Sequence, residues 1–267
     1  DPVWKASLQR GIPVFLVSDI ESSYYKDNKR VQDTVIAHYR PEFYYLTISN
    51  WNQDRLTEIS LHSTVGGCAI DTDLYRQKPE IKRENDVLLA VGRSHYLKNL
   101  EMTLRAMRLV DVKIRLWLFG IEPELKSRNP RLVDGYSSKP TDEEVVDLYN
   151  RATVFVQTSR HEGFCLPVLE AMASGCVVIT TNSDGNYFCE DGKNCLMVGQ
   201  DDDVALASRI NRIFRDDKLR RTLIANGLIT ARQYNWDNQI KQLAAFFKSI
   251  AGKKSLLGGE VKIPQVL

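Results

Sequence analysis

The densest run of reactive residue types is Ser159-Arg160-His161-Glu162-Gly163-Phe164-Cys165-Leu166-Pro167-Val168-Leu169-Glu170-Ala171-Met172, between an apolar run and a helical pattern. A helix starting near Leu166 would direct unpaired N–H groups and a partial positive charge outward from its first turn. Gly163 lets the backbone approach a ligand closely. Glu162 lies in the loop and Glu170 within the first turns of the helix, so both can face one ligand from different heights. Either carboxylate alone reads as a solvated loop or helix residue. Together with an anion site they suit polyol hydroxyls, because carboxylates accept hydrogen bonds strongly. A diphosphate for the helix end and hydroxyls for the carboxylates are the two parts of a sugar nucleotide. A second loop, Gly92-Arg93-Ser94-His95-Tyr96-Leu97-Lys98-Asn99, carries two cations that can fold toward one crevice. Singly they read as surface charges; jointly, an Arg fork and a Lys point charge suit two phosphate groups.

These loops need strands before them and helices after them. Short apolar, β-branched runs occur at Val14–Val17, Tyr44–Ile48, Val87–Val91, Ile114–Phe119, Val154–Gln157 and Val177–Thr180. Continuous runs of this kind suit parallel strands covered on both faces. Between them, Leu100, Leu104, Met107 and Val110 recur at helical spacing, and Thr141 with Glu144 forms a capping-box signature for a helix to about Asn150. Pro167 and Gly175 mark a helix start and end. Asp201-Asp202-Asp203 fits the negative first turn of a helix reaching about Phe214. The alternation predicts an α/β fold with a doubly wound, Rossmann-like parallel sheet, in which ligands gather beyond the carboxyl ends of the strands. Around Ser63 to Lys78 the rhythm breaks into a turn-rich stretch that reads as a linker. Residues 1–62 hold two convincing strands, too few for an independent α/β domain. They read as the end of a domain whose beginning is absent. The opening without Met likewise suggests a fragment or a processed chain.

Composition narrows the classes further. The 267 residues carry 36 Lys and Arg against 34 Asp and Glu, a net charge of +2 that gives no reason to expect a nucleic-acid partner. No apolar run approaches the ~18–20 residues needed to span a bilayer, and Asp1-Pro2-Val3-Trp4-Lys5 does not resemble a signal peptide. The five cysteines (Cys68, Cys165, Cys176, Cys189, Cys195) show no C-x2-C spacing and read as small buried hydrophobes in a reducing, cytoplasmic setting. No G-x-G-x-x-G follows a strand and no G-x-x-x-x-G-K-[ST] exists, which excludes nicotinamide and P-loop chemistry. Asp71-Thr72-Asp73 and Asp201-Asp202-Asp203 match an Asp-x-Asp metal pattern, but a linker turn and a helix start account for both. His161 reads as a hydrogen-bonding loop residue rather than an acid or base.

Gly92-Arg93…Lys98-Asn99, Glu162-Gly163-Phe164…Pro167…Glu170-Ala171-Met172-Ala173-Ser174-Gly175, the closing Asn235-Trp236 and the stretch Ile70-Asp71-Thr72-Asp73-Leu74-Tyr75 together resemble the GT-B retaining glycosyltransferases of family 4. The family's Glu-x7-Glu motif matches Glu162 and Glu170. The resemblance covers roughly Ile70 to Ile250 and implies an enzyme that moves a sugar from a nucleotide-diphosphate sugar, with retention. It implies Arg93 and Lys98 on the donor diphosphate, with Gly92 at the loop entrance, and Glu162 on sugar hydroxyls. Glu170 would bond the nucleotide ribose, and the backbone of Gly163, Phe164, Cys165 and Leu166 would meet the diphosphate and sugar. Gly135 and Tyr136 would border the base.

The implied layout is an acceptor-side remnant over 1–65, a linker over 66–80 and a donor domain over 81–235. A crossing helix over 236–251 and a tail over 252–267 complete it. The implied acceptor is a glycan or lipid-linked glycan, in polysaccharide biosynthesis, with no metal or other cofactor. The setting is cytoplasmic, with peripheral membrane contact through the absent part of the first domain. Cys165 stands where the family often has Gly, and its Cβ would narrow the sugar site. Gly66-Gly67-Cys68 replaces the usual Pro-Asn pair of the linker. Ser18-Asp19-Ile20-Glu21-Ser22 resembles a segment of bacterial polysaccharide rhamnosyltransferases, so the expected donor is a hexosyl or deoxyhexosyl nucleotide. Two rivals stand beside this reading: a non-catalytic sugar-nucleotide-binding or interaction module, and a sugar phosphorylase lacking a cofactor-lysine signature.

Overall fold

A computed structural model of the chain describes Lys5, residues 11–25 and residues 27–251. The expected tail, 252–267, lies outside the described residues. The chain divides into two compact units, one comprising 1–68 with 239–267 and the other 69–238.

In the first unit, β1 (Val14–Val17), β2 (Tyr44–Thr47) and β3 (Ser63–Val65) form a parallel three-stranded sheet in that order. Helices α1 (Lys29–Ile36) and α2 (Asn50–Glu58) connect them, and Ser49 caps α2 by accepting from the Asn52 amide. Val17, Ile20, Tyr39, Phe43, Tyr45, Leu56 and Leu61 make one core. The sequence reading gave Ser63 to the linker, yet Thr64 pairs with Leu46 as a third strand. Three residues are too short to display a period, and only the neighbouring strand identifies them.

The second unit holds a six-stranded parallel sheet: β4 (Glu84–Gly92), β5 (Arg115–Gly120), β6 (Gly135–Ser138), β7 (Ala152–Gln157), β8 (Val177–Thr181) and β9 (Leu196–Val198). Its spatial order is β6-β5-β4-β7-β8-β9. The chain therefore builds outward on one side of β4, returns, and builds outward on the other from β7. This is the doubly wound order, and the reversal leaves the β4 and β7 loops side by side at the switch point. Every residue of β7 is buried, as its unbroken apolar run predicts.

Helices α3 (Leu100–Met107), α4 (Glu124–Arg128), α5 (Asp142–Arg151), α6 (Leu166–Ala173), α7 (Asp203–Arg215) and α8 (Asp217–Gln233) complete this unit. The α5 capping box forms as read, with the Thr141 amide bonded to Glu144 and the Glu144 amide to Thr141 Oγ1. α7 begins at Asp203, and Asp202 is its cap, accepting from the Ala205 amide. Two edge strands, β6 and β9, escaped the sequence reading because each is short and one opens on Gly-Tyr-Ser-Ser. The last helix, α9 (Trp236–Ile250), places Phe246 and Ile250 against Leu46 in the first unit's second core cluster. No helix among the described residues is long and apolar enough to cross a membrane.

Candidate functional site

Lys98 ends the loop after β4, and Glu162 lies in the loop after β7. They meet across the switch point, with Lys98 Nζ 2.7 Å from Glu162 Oε1 and 2.9 Å from Oε2. Gln157 and Ser159 also donate to this carboxylate. The two loops are fastened together just beyond it. The Arg160 amide donates to Leu97 O (2.8 Å), and its guanidinium donates to Tyr96 O (2.7 Å) while lying 4.3 Å over the Tyr96 ring. The same guanidinium grips Asp201 through Nη2 and Nε, at 2.5 and 3.2 Å. Hydrogen bonding from Arg160 holds the Asp201 carboxyl below the usual carboxylate range. Asn99 sits buried in the left-handed region at φ 51° and donates to Asp201 at 3.2 Å. Asparagine tolerates that backbone, and here its amide ties Lys98's loop to Asp201 instead of capping α3.

Arg93 takes a different partner. Its Nε lies 3.7 Å from Glu122 Oε1, and that buried nitrogen makes no hydrogen bond. Glu122 accepts from the Ser94 amide and hydroxyl, which, with Arg93 nearby, hold its carboxyl below the ordinary range. The two cations of one loop thus turn to different carboxylates, where the spacing suggested joint convergence. Tyr136 braces this corner, accepting from the Glu122 amide at 2.7 Å and donating to Gly92 O at 3.5 Å. A Cβ on Gly92 would lie 2.7 Å from the Tyr136 ring, so the strand end must be glycine for the ring to lie there. Gly135 packs likewise against the Trp117 ring.

The loop into α6 is set by aromatic packing. Phe164 contacts Tyr187, Phe188 and Tyr234 with ring centroids 5.6–6.0 Å apart. Gly163, half-buried, separates it from Glu162. Gly185 is pressed so closely on this loop that a Cβ would lie 2.6 Å from Glu162 O. The Cys165 thiol is fully buried, which pushes its pKa well up and keeps it a neutral packing group. Backbone amides expected to be open at this helix start are engaged: Cys165 N–H donates to Gly185 O at 3.4 Å and Leu166 N–H to Phe164 O at 3.1 Å. The first bond is long and weak, so an anion oxygen could replace it. His161 pairs with Asp184 at 3.2 Å, as a hydrogen-bonding loop residue.

Glu170 is more enclosed than a helix-surface carboxylate. Tyr149, itself fully buried, donates to Glu170 Oε2 at 3.2 Å. Burial raises the Glu170 pKa to about 7, Asp142 adds to the rise, and the Tyr149 hydrogen bond opposes it. Both Asp-x-Asp segments are structural in part: Asp71 accepts from the amides of Asp73 and Leu74, Asp202 caps α7, and Asp201 and Asp203 pair with Arg160 and Arg105. The sequence reading missed Asn99, Tyr149, Gln157, Ser159, Arg160, Gly185 and Asp201 as site-building residues. The signals were that Gln157 is a polar residue closing an apolar strand run and that Ser159 and Arg160 lie in the reactive run itself; nothing local marks the others.

The raised Glu170 pKa carries a stability signature. Between the ordinary value of 4.5 and about 7 the folded chain holds a proton that the unfolded chain releases. Its stabilising contribution is full below pH 4.5 and is lost as pH rises through 7, about 3 kcal/mol in all. Denaturant melts at pH 4.5 and 8 should show wild type losing about that much relative to Glu170→Gln. Parallel pH profiles would contradict the assignment.

Residues 71–229 match the family described as Glycosyl transferases group 1. Among curated relatives, O-antigen chain mannosyltransferase B of Escherichia coli is 30% identical over 175 residues, covering 60% of this chain and 45% of that one. D-inositol 3-phosphate glycosyltransferase of Corynebacterium urealyticum is 29% identical over 178 residues, covering 60% and 42%. The chain thus spans about half the length of the curated relatives it matches. Among solved structures, sucrose-phosphate synthase of Thermosynechococcus elongatus aligns with TM-score 0.82 at 20% identity, over 92% of this chain and 70% of that one. Anabaena HepE in complex with UDP-glucose aligns with TM-score 0.79 at 18% identity, over 93% and 75%. The doubly wound order, the matched span over most of the second unit and these alignments agree, and the chain belongs to the group 1 glycosyl transferase family, with the GT-B fold.

Proposed function

We propose that this chain carries the donor site of a retaining, metal-independent glycosyltransferase that moves a hexosyl or deoxyhexosyl group from a nucleotide-diphosphate sugar to a glycan or lipid-linked glycan. The observation that carries the reading is the Lys98–Glu162 pair at the switch point, with a phosphate-binding type of side chain on a hydroxyl-binding one. The relatives named for mannosyl and inositol-phosphate glycosyl transfer, and the fold neighbour bound to UDP-glucose, support a sugar-nucleotide donor.

In this mechanism the diphosphate gains negative charge as it leaves, and the anomeric carbon becomes oxocarbenium-like. Lys98 and Arg93 turn toward the diphosphate oxygens, and the Cys165 amide exchanges its long bond for one of them. Once turned, donors aimed at the developing charge typically contribute ~3–4 kcal/mol each to the transition state. Glu162 accepts sugar hydroxyls, and Glu170 accepts from the ribose. Tyr136 borders the base. Cys165 is buried and neutral and Glu162 is bound by three donors, so neither serves as a nucleophile. Retention, which the family resemblance implies, is then met by attack of the acceptor hydroxyl from the face the leaving phosphate vacates, with that phosphate taking its proton.

Calorimetric titration with UDP and GDP against uridine and guanosine tests the site. Arg93→Ala and Lys98→Ala should each weaken the diphosphate by about 10- to 100-fold, the worth of a charged hydrogen bond, and the nucleoside hardly at all. Equal losses for both ligands would contradict the diphosphate assignment. For the reaction, NMR of the first-formed product should show the donor's anomeric configuration, and an inverted anomer would rule the mechanism out.

A further inference from the structure

The two oxygens of Glu162 are not equivalent. Oε1 accepts from Ser159 Oγ at 2.6 Å, Lys98 Nζ at 2.7 Å and Gln157 Nε2 at 2.9 Å. Oε2 accepts from Lys98 alone, at 2.9 Å, among the described residues. A carboxylate oxygen offers about two lone-pair directions. Oε1 is saturated, and it stays so when Lys98 turns away.

The donors on Oε1 are built into the sheet. Gln157 is the last residue of β7, 3% exposed, and its amide divides between Ser159 Oγ (2.7 Å) and Glu162 Oε1. Ser159, fully buried, passes its own hydrogen to the same oxygen. Their backbone carbonyls are held from β8, by Thr180 Oγ1 on Gln157 O (3.1 Å) and Thr181 Oγ1 on Ser159 O (2.6 Å). Asn186 in turn donates to Thr180 Oγ1 at 2.7 Å. A polar side chain at the end of a fully buried strand is costly to desolvate unless bonded. An aliphatic residue would fill β7 more cheaply, so the polar choice has its return in orienting Glu162.

We propose that Gln157 and Ser159 are positioning residues that reserve Oε1, so that Glu162 meets the transferred sugar through Oε2 alone. This rests on the reading of Glu162 as the sugar-hydroxyl acceptor. One oxygen on a fixed carboxylate contacts one hydroxyl, or two adjacent ones, on a single edge of the ring. The substrate class it selects is a sugar that keeps its hydroxyls on that edge, with the rest of the ring unread by Glu162. Without Gln157 only Ser159 tethers Oε1 once Lys98 turns away, and both the hold and the selection weaken.

The test is a calorimetric comparison of UDP with UDP-glucose and GDP with GDP-mannose, on wild type, Gln157→Leu, Ser159→Ala, Glu162→Gln and the Gln157→Leu/Glu162→Gln pair. The proposal expects Gln157→Leu and Ser159→Ala each to weaken the bound sugar nucleotide by about tenfold, the worth of a typical hydrogen bond to a charged group. The matching nucleoside diphosphate should change by less than about twofold, and Gln157→Leu should add little in the Glu162→Gln background. Ser159→Ala gives the same readout should Gln157→Leu not fold. Equal weakening of both ligand types, or an undiminished Gln157→Leu effect beside Glu162→Gln, would overturn the proposal while leaving the donor site standing. A wild type that binds none of the four ligands would overturn the donor reading and this proposal with it.

Discussion

A lysine and a glutamate from loops 64 residues apart are held in direct contact, and the rest of the second unit arranges itself around that contact. It depends on strand order. Because β4 and β7 are neighbours while the chain between them builds outward through β5 and β6, the loops that follow them open side by side. Arg160 fastens one to the other through Leu97, Tyr96 and Asp201, and Asn99 donates to the same Asp201 oxygen. An ammonium on a carboxylate at a strand end is a ready exchange site. A phosphate can take the cation, and a hydroxyl can take the carboxylate.

Around this pair the carboxylates differ in character because their surroundings differ. Glu162 is wrapped in donors, which suits an acceptor held in one orientation. Glu170 is buried against Tyr149, and that burial raises its pKa to about 7. Glu122, gripped by Ser94 with Arg93 beside it, holds a cation at the far side of the β4 loop. These three carboxylates thus stand in three different environments, set by desolvation and hydrogen bonding rather than by residue type.

Much of this was legible in the sequence. The apolar β-branched runs gave six of the nine described strands, and the capping box at Thr141 and the Pro167 start of α6 formed where their chemistry places them. Glu162, Lys98, Arg93 and Glu170 stand in the loops and helix that the motif spacing assigned. The short edge strands β3, β6 and β9 were not legible, since three or four residues show no period and their pairing is a tertiary fact. Equally hidden were the partners. Nothing in the spacing of Asp201 connects it to Arg160 and Asn99. Nothing in Gln157 announces that its amide faces a carboxylate five residues on. Side chains brought together by strand order leave no local trace, which is also why the amides of Cys165 and Leu166 were expected to be open and are bonded to Gly185 and Phe164.

The most direct measurement is a crystal structure of the protein with UDP-glucose or GDP-mannose bound. The account predicts Lys98 Nζ within hydrogen-bond distance of a diphosphate oxygen, and Glu162 facing a sugar hydroxyl. A nucleotide bound away from the β4 and β7 loops, with Lys98 still closed on Glu162, would contradict it.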